Sequence, residues 1–323
     1  MLRRILLNHS SLYFIAIPVI GFVIVFLSVP ELNVPLTPRP AILQLTFLNS
    51  WAVERFPLAL LWFFPVVLIT LFLPMLSSRF TMFEQGMFLN SILWLVLFPS
   101  VVYFSGDLQV LISSVIAMPA YYFIFGMYKS EYPAHLMFNA ALIISAASLF
   151  YLPALIFIPL LWMAWAFYNP FKPRAYILSM IGTVLPYFFV FSFLFIFDQA
   201  EIFRINYSFR FLTGIVNHAE FLIFMAGLVF MVLLGLIRLA APDSLKKVGL
   251  RKNMNYLLLA FVFFAGAMFL LGEYSLLAFV IFPASVICNF FFARTGRSWI
   301  FFFMFLLFCG FMLYFPFSRY LFN

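Results

Sequence analysis

The residues able to do chemistry in this chain are few, and they stand beside apolar runs rather than within them. Glu31 follows the run 12–29 by a turn or less, and a carboxylate held there can take the proton of an acceptor hydroxyl as a general base. Glu54 and Arg55 come just before the next apolar run, as an exposed charge pair or as helpers of Glu31 in holding a phosphate or a divalent metal. Arg204 and Arg210 lie in a segment that also carries Tyr207 and His218. A guanidinium at a membrane surface meets phosphate oxygens through two parallel hydrogen bonds. The two arginines therefore either anchor to ordinary phospholipid headgroups or recognise one lipid phosphate, with Tyr207 and His218 closing the same site.

Other chemistry finds no footing. The sequence has no glycine-rich phosphate loop, Cys-x-x-Cys pair, His-Glu-x-x-His or nucleophile elbow. Cys288 and Cys309 sit inside apolar runs, where a thiol acts as a small hydrophobe. His9, His135 and His218 are too scattered for a metal cluster. Lys246, Lys247, Arg251 and Lys252 form the densest basic segment, suited to anionic lipid and topological anchoring or to a cytoplasmic protein partner.

The elements that must position these residues follow from composition. Of 323 residues, 67% are hydrophobic and 9% charged, against about 45–50% and about 25% in a soluble domain. Mean hydropathy is +1.14. No water-soluble fold hides that much apolar surface, so the chain is expected to be an all-α, polytopic transmembrane helical bundle and a single integral membrane domain over 1–323. Eleven helices are predicted at 12–29, 57–76, 87–104, 108–128, 136–151, 153–169, 176–197, 221–240, 255–271, 275–293 and 299–317. The first run is too long for a signal peptide and lacks a small-x-small cleavage site, so it is read as an uncleaved helix.

Placing the N-terminus in the cytoplasm puts thirteen of the eighteen basic residues on the inner side and seven of the ten acids on the outer side. That asymmetry follows the positive-inside rule and sets the C-terminus outside. It also accounts for the net charge of +8 without nucleic acid as a partner. No ionisable group falls in mid-span, which argues against an ion-coupled transporter. Asn90, Asn139, Ser145, Ser148, Thr183, Ser192, Ser285 and Asn289 are polar residues within spans, read chiefly as interhelical hydrogen-bonding groups.

Two outer segments exceed twenty residues, 30–55 and 198–220. The first continues from four prolines into an amphipathic stretch, 41–53, suited to lie flat in the interface with Ile42, Leu45, Phe47, Leu48 and Trp51 in the acyl region. Two pairs of short helices are expected, one broken at Tyr151-Leu152-Pro153 and the other at Gly272-Glu273-Tyr274.

The stretch from Phe138 through Pro153 to Pro159, then Asn169-Pro-Phe-Lys-Pro-Arg174 and Ile181-Gly-Thr-Val-Leu-Pro186, resembles a Phe-rich inner-membrane family of Bacteroidota. Some members of that family carry the label beta-carotene monooxygenase. The label implies an iron held by several histidines, which three scattered histidines do not fit. The same stretch is similar to the GT-C superfamily of polyprenyl-phosphate-sugar glycosyltransferases, in which a small-residue helix breaks at a proline and continues as a second short helix. The matching residues are 140–149 and 153–159.

This resemblance implies a GT-C-like module over 1–200 followed by additional helices over 201–323, with interfacial helices in the first outer loop and an acid soon after the first span. Glu31 fits that place, although it stands alone where the superfamily often has a paired acidic motif. The implied activity is sugar transfer from a polyprenyl-phosphate carrier at the outer face. Glu31 would be the base, Arg204 and Arg210 would meet the lipid phosphate with Tyr207, His218 and Arg55 nearby, and a divalent metal is optional. The alternatives are a non-catalytic membrane subunit that docks membrane-protein partners of an envelope or secretion complex, or a lipid transporter.

Overall fold

The computed structural model describes residues 13–28, 55–80, 87–128, 130, 133–168, 173–198, 219–239, 248–294 and 298–322. Helix is the only regular structure among them. In lipid there is no water to satisfy backbone N–H and C=O groups, and the helix satisfies them within its own segment. The helices are α1 (Tyr13–Ser28), α2 (Arg55–Arg79), α3 (Met87–Ser105), α4 (Leu108–Ala117), α5 (Pro119–Gly126), α6 (Pro133–Ser148), α7 (Phe157–Tyr168), α8 (Pro173–Ile196), α9 (Ala219–Leu239), α10 (Val248–Leu271), α11 (Leu277–Arg294) and α12 (Ser298–Phe322). Short 3-10 turns, Leu152–Ile156 and Tyr274–Leu276, lead into α7 and α11.

Among the described residues, eight helical segments are long and apolar enough to cross a membrane. Three more, Ala16–Leu27, Pro133–Ser148 and Leu152–Tyr168, are apolar but shorter. The chain is a multi-pass membrane protein. The segment expected as one helix over 108–128 is divided at Met118, which itself keeps helical dihedrals. Pro119 has no N–H to give, so α4 stops at Ala117 and α5 restarts on the proline.

The helices fall into two groups. The first holds α1, α2, α3, α9, α10, α11 and α12 and so draws on both sides of residue 200. Its centre is α11, whose span is 94% buried and which packs on α3, α9 and α10. Helix α3 is flanked in addition by α1, α2 and α12. Gly235 of α9 lets the backbones close up, because a Cβ there would stand 2.6 Å from the Ile287 carbonyl oxygen of α11.

The second group holds α4 to α8 and is built around α6. Its closest pair is α6 with α8, where a Cβ on Gly182 would stand 2.7 Å from the Phe138 carbonyl oxygen. Ala141 and Ser145 on α6 face Gly182 and Thr183 on α8. Such small residues allow helix packing where lipid supplies no hydrophobic drive. The rest of α8 turns outward, with only 17% of its span buried and Phe188, Phe189, Phe193 and Phe195 exposed. These side chains meet lipid.

In the first group, the end of α3, the start of α9, the turn after α10 and the end of α12 gather through the ring pairs Phe104–Phe221, Phe221–Tyr274 and Phe224–Phe315. That end carries Glu220 and Glu273, together with Arg55 at the start of α2 and Arg319 near the end of α12. The start of α1 meets the start of α3 through Tyr13–Phe88, and α2 runs the other way through Trp62–Phe98 and Ser91–Thr70. Arg79, Arg238, Arg251, Lys252 and Arg294 therefore belong to the opposite end. In the second group, Asp107 and Asp198 share the end where α4 starts and α8 finishes, whereas His135 and Arg174 share the other.

Candidate functional site

One described carboxylate is held by another helix. Glu220 is the second residue of α9, where a negative charge offsets the positive end of the helix dipole. The hydroxyl of Tyr103, near the end of α3, donates to Glu220 Oε2 at 2.7 Å. Rings close in behind this bond. Phe104 packs edge-on against Tyr103 with centroids 4.9 Å apart and against Phe221 at 5.0 Å. Tyr274, in the turn after α10, meets the other side of Phe221 at 4.7 Å. Phe221 is fully buried, Glu220 is exposed, and Tyr103, Phe104, Glu273 and Tyr274 are half-buried. The result is a carboxylate on the rim of an aromatic cluster at the acidic end of the first group.

The acidic positions were visible as outer acids in the sequence, and Tyr103 and Phe104 as aromatics at the close of an apolar run. Their meeting across the fold was not, because no local pattern links residues 117 positions apart. The candidate residues Glu31, Arg204, Tyr207, Arg210 and His218 lie outside the described residues, as does Glu54. Arg55 is the first residue of α2. The segments that hold the other candidates leave from the end of α1 and return at α2, and leave from the end of α8 and return at α9. Each of these helix ends is at the acidic end of its own group.

The polar residues within spans divide by role. In the second group they join helices. Ser113 of α4 donates to the Ala147 carbonyl of α6 at 2.8 Å, and Ser145 of α6 donates to the Thr183 carbonyl of α8. Trp162 Nε1 of α7 donates to Ser179 Oγ of α8 at 2.9 Å. Ser148 Oγ lies 2.6 Å from Tyr187 OH and also donates to the Ser145 carbonyl. A serine hydroxyl has one proton to give, so Tyr187 is the donor of that pair.

In the first group Ser91 donates to the Thr70 carbonyl at 2.7 Å. Asn90 and Trp94, one turn apart on α3, are buried, and neither the Asn90 amide nor the Trp94 indole N–H has a hydrogen-bond partner among the described residues. Ser285 bonds within its own helix, to the Phe282 carbonyl.

Among the described residues no three His, Cys, Asp or Glu side chains gather to hold a metal ion. The ionisable Asp, Glu, Lys and Arg residues described all lie at helix ends or in the turns between helices. The chain matches no protein-family model, no curated protein and no solved structure.

Proposed function

We propose that the chain is a GT-C-like glycosyltransferase that takes a sugar from a polyprenyl-phosphate carrier at the acidic, outer end of the bundle. One observation carries this reading. The two long polar segments, 29–54 and 199–218, both spring from acidic helix ends, while the described spans hold no ionised group in their interior. The reading is supported by the sequence positions of Glu31, Arg204 and Arg210 in the segments that adjoin these helix ends.

In the proposed reaction Glu31 takes the proton of an acceptor hydroxyl, whose oxygen bonds to the anomeric carbon of the sugar. The bond from that carbon to the carrier phosphate breaks, and Arg204 and Arg210 meet the charge left on the polyprenyl phosphate, with Tyr207, His218 and Arg55 beside them. Holding acceptor and donor together in the interface lowers the barrier further by removing their translational and rotational freedom beforehand. Native mass spectrometry of the protein released gently from its membrane should show polyprenyl phosphate or its sugar conjugate retained. Substituting Arg204 and Arg210 together by Ala should abolish that retention. A Glu31→Gln variant that expresses normally and still transfers sugar would remove the mechanism.

The outward aromatic face of α8 favours a second reading, a membrane subunit without catalysis that docks other membrane proteins. A stoichiometric protein partner, with only bulk phospholipid, in the same spectra would support it. A monodisperse, partner-free species would remove it.

A further inference from the structure

We propose that the first group opens between α3 and α11 at its basic end and admits water to a buried layer of carboxamides. Neighbours fix which sides meet. Ser91 of α3 faces α2, Ser100 faces α12 and Leu95 lies against Gly21 of α1. The remaining fully buried side of α3, with Asn90 and Trp94, therefore belongs to α11. On α11, Ile287 meets α9, Phe279 meets α10 and Phe292 meets α12, which leaves the side of Ser285 and Asn289 to α3.

The two helices run in opposite directions, so depth can be compared. Asn90 stands three residues after Met87, and Asn289 five residues before Arg294. At 1.5 Å per residue both lie about 5–8 Å in from the basic end. Asn253 of α10, five residues after Val248, is at the same depth and on the face that Phe264 turns to α11. Farther in, the facing sides continue as Leu97 and Val101 of α3 and Phe282 and Ala278 of α11, all buried and apolar. The polar layer is thus confined to one end of the seam.

Asn90 and Asn289 are fully buried and Asn253 is 4% exposed. Neither atom of the Asn90 amide nor the Trp94 indole N–H has a hydrogen-bond partner among the described residues. Desolvated and unanswered, these groups raise the free energy of the closed packing. Water both donates and accepts, and about three polar partners is the usual number for a buried water molecule. Opening therefore recovers hydrogen bonds that the closed seam lacks, and a seam lined by leucine would have nothing to recover. The source of water is near, since Arg251 is exposed and Lys252 half-buried just before Asn253. The residues assigned to sugar transfer take no part in this, so the proposal stands or falls without them.

The test places the full chain in nanodiscs and exposes it to X-ray radiolysis, which oxidises an interior side chain where water reaches it, with each tryptophan read by peptide mass spectrometry. Trp94 should be oxidised in the wild-type protein despite its burial. Asn90→Leu keeps the side-chain size and removes the group that water answers, so Trp94 oxidation should fall about fivefold, while that of Trp165 in the second group stays the same and shows that the variant is folded. The wild-type reading needs no substitution. An unoxidised Trp94 in the wild type, or equal oxidation in Asn90→Leu, overturns the proposal. Oxidation of Trp94 joined to a loss of stability in Asn90→Leu makes the water a fixed part of the closed core and overturns the opening.

Discussion

Glu220 and Tyr103 are hydrogen-bonded at a helix end, whereas Asn90 is buried with its amide unanswered among the described residues. The two cases predict opposite responses to substitution. A buried donor and acceptor without partners cost about 1–3 kcal/mol. Asn90→Leu should therefore raise stability by about 1 kcal/mol, read by SDS-titration unfolding in bicelles, and a loss of stability would show that the amide is satisfied. The Ser148–Tyr187 pair is the reverse. A double-mutant cycle with Ser148→Ala and Tyr187→Phe should return a coupling of about 0.6 kcal/mol, the usual worth of an interhelical hydrogen bond in lipid. Zero coupling would mean that the contact contributes nothing. Asn90, Ser145 and Ser148 look alike in sequence as polar residues in apolar runs. Only packing separates the one without a partner from the two that join helices.

At the level of elements, the apolar runs announced the helices because a bilayer leaves a spanning segment few other options. The sequence also marked both interruptions. Tyr151 is extended before Pro153, and Gly272 and Glu273 lead into the second 3-10 turn. The division before Pro119 went unmarked, because prolines also continue through α1, α2, α3, α8, α11 and α12. Proline alone does not say whether a membrane helix breaks. Pairing was less legible still: hydropathy is nearly uniform along the chain, so it does not say which face of α6 meets α8. Two glycines carry that information once the backbones are seen. Gly182→Ala and Gly235→Ala should each cost about 1–3 kcal/mol through overpacking against a carbonyl that cannot move aside cheaply. Unfolding in bicelles measures both. Gly266 and Gly310, which face open space, should tolerate alanine.

For the whole molecule, charge separation predicts orientation. Arg79, Arg238, Arg251 and Lys252 share one end of the first group, and the positive-inside rule places that end in the cytoplasm. An alkaline phosphatase fusion after residue 323 should be active and a fluorescent-protein fusion there dark. The opposite pattern would invert the topology and bring the candidate site to the cytoplasmic side.

The burial of α11 bears on the order of assembly. Helix α3 is complete at Ser105, yet the helix that covers much of it begins at Leu277. At about 5–20 residues per second a ribosome needs on the order of 10–40 s to make the intervening chain. During that interval the side of α3 destined for α11 faces lipid or a chaperone, whereas α4 to α8 emerge in succession and can close on one another as they are made. Biogenesis of this protein thus has a waiting half and a ready half, and truncation before α11 should leave the N-terminal helices inserted but open to proteolysis.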